Sequence, residues 1–298
     1  MVLGRTLITS LRTPQLMSWL ERQWVFAEHT PDPVPYTIRL TEVDEPRVAG
    51  DGGLMKVTLH RFSLQCTVSD DGWRFGDDTA GVHLNLRDGE SLIEVWGAPQ
   101  PESEASLFPA LFVAIAESLR SSGLLPLHAA VVVRDGRATA LSGKSGAGKS
   151  TTLWRALDAG WSPLADNFAW LNPDTLVIRG WDRGVHLAPD ARERFARDIP
   201  AESFQSEDDG KLFIPYERIQ RDAVRTAVLD RVAVLERDSD APAGSAPLGA
   251  RAAVRVWWEM IGVPLDTTVR DRVAMEIALL VSRVKRYVLR LDSNPPAL

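Results

Sequence analysis

The rhythm of hydrophobic and polar positions changes twice along the chain. Through the first hundred residues, apolar side chains come in short alternating or clustered runs at residues 36–40, 54–59, 81–86 and 92–96. Gly and Asp turns divide them, which predicts β-strands. A polar stretch at residues 99–105 follows and predicts a domain boundary. Residues 1–104 are thus expected to form a small β-rich N-terminal domain, and residues 105–298 a second domain. Leu107, Leu111, Ile115 and Leu119 then recur at every fourth position up to Gly123, as in a helix with one buried face.

From Leu127 the spacing shortens again. Residues 129–133 and 138–142 flank Asp135-Gly136, a two-residue hairpin signal. A glycine-rich loop follows, then a helix expected over residues 150–159 with Gly160 as its cap. Residues 162–165 predict a short strand leading into Asp166-Asn167, and residues 168–171 and 176–179 a second hairpin across Asn172-Pro-Asp-Thr175. A buried strand at 231–235, a helix marked by Val269, Val273, Ile277 and Leu280, and a last strand at 286–291 complete an α/β pattern. Residues 241–247, rich in Ala, Gly, Ser and Pro, are expected to form an exposed loop.

Composition narrows the classes. The chain of 298 residues is 45% hydrophobic and 25% charged, the mix of a globular protein with a sizeable core. With 34 basic and 40 acidic residues the net charge is −6, which argues against nucleic-acid and anionic-membrane partners. The apolar run at 107–116 is about half a membrane span and contains Pro109. The first residues carry no signal-peptide pattern. Cys66 is the single cysteine, so no intramolecular disulfide is available and a cytoplasmic setting is expected.

The chemistry is concentrated in Gly143-Lys144-Ser145-Gly146-Ala147-Gly148-Lys149-Ser150-Thr151. Its first eight residues match the phosphate-binding pattern GxxxxGK[ST], which arises by chance in about one chain in a hundred of this length. A strand expected before it and a helix after it supply the required context. Backbone N–H groups of such a loop wrap a phosphate at the helix N-terminus. Lys149 would reach the β- and γ-phosphates of ATP, and the Ser150 hydroxyl would ligate Mg²⁺. A glycine-rich turn capping a helix is the plainer alternative. An ABC-type signature sequence and the base-reading Asn-Lys-x-Asp motif of GTPases are both absent from the sequence.

Leu127-His128-Ala129-Ala130 with its strand, the Asp-Gly hairpin, the loop from Gly143 to Ser150, and Ala165-Asp166-Asn167 resemble the catalytic domain of HPr kinase/phosphorylase and HPr-kinase-like proteins. Kinases of lasso peptide biosynthesis are among these. The resemblance covers residues 124–185 well and the rest of the C-terminal half weakly. It implies a P-loop fold with a mixed sheet, related to phosphoenolpyruvate carboxykinase, behind the N-terminal β-rich domain. It further implies transfer of the γ-phosphoryl of ATP to a hydroxyl, with Mg²⁺. The acceptor would be a serine of a peptide or protein, or a small metabolite. By the same resemblance His128 is the active-site histidine, Asp166 the first acid and metal ligand, and a homo-oligomer is possible. The family's second Asp is replaced by Asn167. An amide cannot accept a proton from the incoming hydroxyl, although its oxygen can orient one.

The second metal-binding acid of the family falls near Asp190 or Glu193, where a solvated helix face is the better reading. Lys211 and Arg183 are further candidate cations. His29, His60, His83 and His186 lack metal-ligand spacing and are expected to be ordinary surface or core residues. Trp154, Trp161 and Trp170 are expected in the core, whereas Trp257-Trp258 reads equally as a partner surface or as one residue inside and one at the rim. A nucleotide-binding regulator or scaffold of the same fold is the alternative to a kinase, and an ABC-like ATPase a more distant third.

Overall fold

The computed structural model describes residues 2–23, 35–46, 52–59, 62–97, 101–206, 210–219, 223–237 and 243–291. The chain divides into two compact units, residues 1–123 and 124–298. Both are mixed α/β.

The first unit runs β1 (Thr6–Ser10), α1 (Pro14–Gln23), β2 (Thr37–Glu42), β3 (Gly53–Leu59), β4 (Phe62–Ser69), β5 (Gly72–Gly76), β6 (Gly81–Arg87), β7 (Glu90–Trp96) and α2 (Pro101–Ser121). Its strands form one sheet in the order β1-β2-β7-β6-β5-β4-β3. β1, β2 and β7 are parallel and the remainder is an antiparallel meander. One face is apolar, with Leu40, Cys66, Phe75, Val82, Leu84, Ile93 and Val95 fully buried, and α2 packs over β4 to β7. The boundary expected at residue 104 falls inside α2, and the compact units part at residue 123 instead. The polar start of that helix reads as a linker in sequence, yet Pro at the first helical position followed by acids is also how helices begin.

The second unit runs β8 (Leu125–His128), β9 (Ala130–Arg134), β10 (Arg137–Ser142), α3 (Lys149–Asp158), β11 (Ser162–Ala165), β12 (Phe168–Leu171), β13 (Val177–Gly180), β14 (Gly184–Leu187), α4 (Pro189–Phe195), β15 (Gln205–Ser206), β16 (Leu212–Pro215), β17 (Thr226–Arg237), β18 (Gly244–Pro247), α5 (Ala250–Ile261), α6 (Thr267–Arg283) and β19 (Lys285–Leu291). Nine strands make the main sheet, with β11, β9, β10 and β17 side by side. The first residues of β17 pair with β13, which leads to β12 and β8, and its last residues pair with β19 and through it β18. β14, β16 and β15 form a small separate sheet.

Both faces of the main sheet are covered. Ala129, Val131 and Val133 join a core with Val256 and Trp257 of α5 and Val273 and Ile277 of α6. Ala130, Val132 and Leu141 join another with Leu153 and Trp154 of α3 and Ala191 of α4. Burial on two faces explains why residues 129–133 are apolar without alternation.

One expectation is corrected here. Of the exposed loop expected over residues 241–247, residues 241–242 lie outside the described residues, and Gly244–Pro247 are largely exposed but form the edge strand β18, antiparallel to β19. Its small residues and Pro247 carry little strand propensity, and pairing with β19 decides the conformation. Trp257 is buried and Trp258 half-buried, the division the sequence left open. Among the described residues no helix is long and apolar enough to cross a membrane.

Candidate functional site

The direction of the strands gathers the candidate residues at one edge of the main sheet. β9 is antiparallel to β10 and β11 antiparallel to β9, so β10 and β11 point the same way. Ala165 at the end of β11 is level with Val131, and Val131 with Ala140 of β10. Asp166 and the loop that follows Ser142 therefore leave the sheet from the same edge, two strands apart, or roughly 10 Å.

The loop itself is built on glycine backbone. Gly143 has φ 146° and Gly148 φ 98°, conformations that side-chain-bearing residues rarely adopt. A Cβ on Gly143 would come within 2.9 Å of the Leu235 carbonyl oxygen, so β17 supports the loop from below. Gly148 caps α3 without any side-chain hydrogen bond. The amides of the first turn thus receive no side-chain cap, the arrangement that suits an anion. Lys149 Nζ donates to the Gly143 carbonyl oxygen at 2.9 Å. Its pKa is held below the ordinary lysine value, first by burial and also by the charge of Lys211, while Asp166 acts the other way. Ser150 and Thr151 are half-buried in the first turn, whereas Lys144, Ser145 and Gly146 are exposed.

Facing this loop are two acids, Asp166 buried and Asp182 half-buried. Asp166 is only 4% exposed. Its Oδ2 accepts the His186 backbone N–H at 2.8 Å and lies 3.3 Å from His186 Nδ1. Its Oδ1 is buried and bonded to no partner among the described residues. Beneath it, one oxygen of Asp182 accepts three consecutive backbone N–H groups, from Asp166 at 3.0 Å, Asn167 at 2.6 Å and Phe168 at 2.9 Å. That clamp sets the turn from which the Asp166 side chain projects. Burial pushes the Asp182 carboxyl up to about 6, the Asp166 charge adding to it and the amides of Phe168 and Asn167 opposing it. Tyr216 is also buried, with its hydroxyl unpartnered among the described residues. Burial raises its pKa well above the usual phenol value, and Asp182 and Asp166 reinforce that.

The placement of each candidate follows from this frame. Lys149 and Asp166 are brought into electrostatic reach of each other. His128 stands opposite Phe168 in the β8–β12 ladder and meets its ring edge-on, with centroids 5.2 Å apart, so it lies beside the Asp166-Asn167 turn. Asn167 is half-buried, its backbone held by Asp182. Lys211, though exposed, acts on Lys149 through its charge. Asp190 and Glu193 are exposed on α4, and no described hydrogen bond joins either carboxylate to the loop. Arg183 is exposed, and its carbonyl oxygen accepts from the Tyr216 N–H at 3.0 Å.

His186 requires a correction. It is not an ordinary histidine but the residue that bonds Asp166 through both its backbone and its ring. His83 does fit the expectation, being buried with a ring nitrogen 3.5 Å from Glu94. His29 and His60 lie outside the described residues. Asp182 and Tyr216 were missed, because a lone acid and a lone Tyr between short strands carry no motif. Only the topology sets them under Asp166. Among the described residues no group of three or more His, Cys, Asp or Glu side chains is assembled to hold a metal ion. A cation here would draw on Asp166, the Ser150 hydroxyl and the oxygens of a bound anion, which suits Mg²⁺ with a nucleotide.

No family model matches the chain. No curated protein matches it either. Among solved structures, the HPr(Ser) kinase/phosphatase from Coxiella burnetii is similar at a TM-score of 0.29 and 11% identity, over 57% of this chain and 85% of that one.

The Asp182 clamp gives a stability test. Asp182→Ala strands three amides and should lower stability by about 2–4 kcal/mol, read by denaturant or thermal unfolding. Asp182→Asn keeps an accepting oxygen and should lose less. The folded state holds this carboxyl's proton more tightly than the unfolded chain, where the pKa is near 3.8. Its contribution is therefore greatest at low pH and declines as pH rises from 3.8 to about 6. Asp182→Asn should flatten that decline, and an unchanged pH profile would show that Asp182 does not titrate there.

Proposed function

We propose that the second unit is an ATP-dependent kinase that transfers the γ-phosphoryl group to a hydroxyl, with Gly143–Ser150 acting as a P-loop. The observation that carries this reading is the pairing of that loop with Asp166. A cationic, glycine-built helix N-terminus faces a carboxylate that is almost fully buried and has one oxygen unpartnered. Burying such an oxygen without a hydrogen bond is unfavourable, and a substrate hydroxyl or a metal ion would satisfy it.

The residues then divide the work. Loop amides and Lys149 bind and orient the phosphate chain, and the small glycines let the backbone approach it closely. Asp166, held by His186 and by the Asp182 clamp, accepts the proton of the attacking hydroxyl as its oxygen bonds to phosphorus and ADP departs. Phosphoryl transfer depends mostly on such positioning and on charge neutralisation. Mg²⁺ held by Ser150 and Asp166 would supply further positive charge on the phosphates when bound. The acceptor is a serine of a peptide or protein, or a small hydroxyl metabolite, and a cytoplasmic protein acting without nucleic-acid or membrane partners fits the composition.

A second reading has its own support. Asn167 stands where the resembling family has a second acid, and one oxygen of Asp166 is already engaged by His186. A nucleotide-binding regulator or scaffold with little transfer activity would need neither. Incubating the full chain with ATP, Mg²⁺ and candidate hydroxyl acceptors separates the two. A mass increase of one phosphoryl group on an acceptor, with stoichiometric ADP, is expected for a kinase. Tight nucleotide binding with no acceptor-dependent ADP would favour the regulator.

A further inference from the structure

The strand on the other side of β10 brings the loop a residue that the proposed reaction has not used. β17 runs parallel to β10 with Val234 level with Ser142, so its last residue, Arg237, reaches the height of the loop. The contact is close. A Cβ on Gly148 would lie 3.0 Å from Arg237 Nη2, 3.5 Å from Nε and 3.6 Å from Cζ. The guanidinium therefore packs against the backbone of the residue that caps α3.

That is a poor place for a cation in isolation. The helix N-terminus already carries partial positive charge. Lys149 is next in sequence, and Lys211 acts on it electrostatically. Among the described residues, no described hydrogen bond or ion pair engages the Arg237 guanidinium. The buried carboxylate of Asp166, with its unpartnered Oδ1, lies on the opposite flank, because β11 stands beyond β9 on the far side of β10. Several cationic groups around glycine backbone call for a polyanion with several charges.

We propose that Arg237 grips the part of the nucleotide that is not transferred, the phosphates that stay on ADP, while Asp166 attends to the terminal phosphoryl group and its acceptor. This rests on the nucleotide-binding reading above. A guanidinium forks onto two phosphate oxygens and gives stronger, more directional bonds than a single N–H donor. Because these contacts are the same before and after transfer, Arg237 contributes uniform binding, and its loss falls on KM rather than kcat.

Calorimetric titration of the full chain with MgADP and MgATP tests this in the native protein, Arg237→Ala, Arg237→Lys and Lys149→Ala. Arg237→Ala should weaken ADP and ATP by the same factor, about tenfold or more, and Arg237→Lys should recover part of it. Unchanged ADP affinity in Arg237→Ala overturns the assignment. So does a loss confined to ATP, which would put the guanidinium on the terminal phosphate. If the native protein binds and Lys149→Ala does not, while Arg237→Ala behaves as native, only the Arg237 assignment fails. If the native protein binds neither nucleotide, the underlying nucleotide reading fails and this inference with it.

Discussion

Lys149→Ala should abolish tight ATP binding and reduce turnover by about 10²-fold or more, while the protein stays folded. The first half of this expectation follows from charge. Lys149 sits at the start of α3, within reach of Asp166, and among the described residues donates only to the Gly143 carbonyl oxygen. Burial disfavours its charged form, so the folded protein holds a cation that an incoming phosphate would stabilise. Removing a positioned cation from a developing phosphoryl charge is of the same order as losing an oxyanion donor, about 10²–10³ in rate. The second half follows from packing. The side chain is half-buried and belongs to neither core cluster of the unit. One lost hydrogen bond costs about 1 kcal/mol, which is about 2–4 °C in a unit of this size. Nucleotide-induced thermal stabilisation, measured beside the melting temperature of the free protein, reads both halves at once. Full stabilisation of Lys149→Ala by ATP would remove the loop from the site.

Local signals made half of this site legible in the sequence, and only topology supplied the other half. The loop, its flanking strand and helix, and the Asp166 turn each follow from a short pattern of contiguous residues. The hairpin at Asp135-Gly136 was visible for the same reason: the turn residues and the flanking apolar runs agree. The residues that hold Asp166 in place were not visible. Asp182 lies 16 residues beyond Asp166 and reaches back to three amides. His186 looked like a scattered histidine until the β14–β16 pairing placed it against Asp166. Arg237 reaches Gly148 only because β17 is the parallel neighbour of β10, and across the 83 residues between Ser142 and Thr226 no local pattern signals that pairing. Composition misled at β18, where small residues form an edge strand, and at the start of α2, where polar residues open a helix.

The Asp166-Asn167 pair offers the most discriminating chemistry. Asp166→Asn should eliminate transfer while sparing the fold. The amide keeps an oxygen to accept from the His186 N–H, but it has neither the negative charge to hold a metal ion nor a basic site for the hydroxyl proton. Losing general-base help costs about 10²-fold or more. Nucleotide binding should survive, since the loop amides and Lys149 remain, so binding and transfer separate in this variant. Asn167→Asp acts in the opposite sense. Its backbone N–H is already held by Asp182 at 2.6 Å, so a new carboxylate there would join two acids in a crowded, largely buried cluster. If the native protein is a weakened kinase for want of the second acid, acceptor-dependent ADP release should rise. If Asp166 alone suffices, the added like charge should raise the pKa of its neighbours and weaken metal and phosphate binding. Release of ADP unchanged in both variants would remove this pair from catalysis and leave the protein a nucleotide-binding regulator.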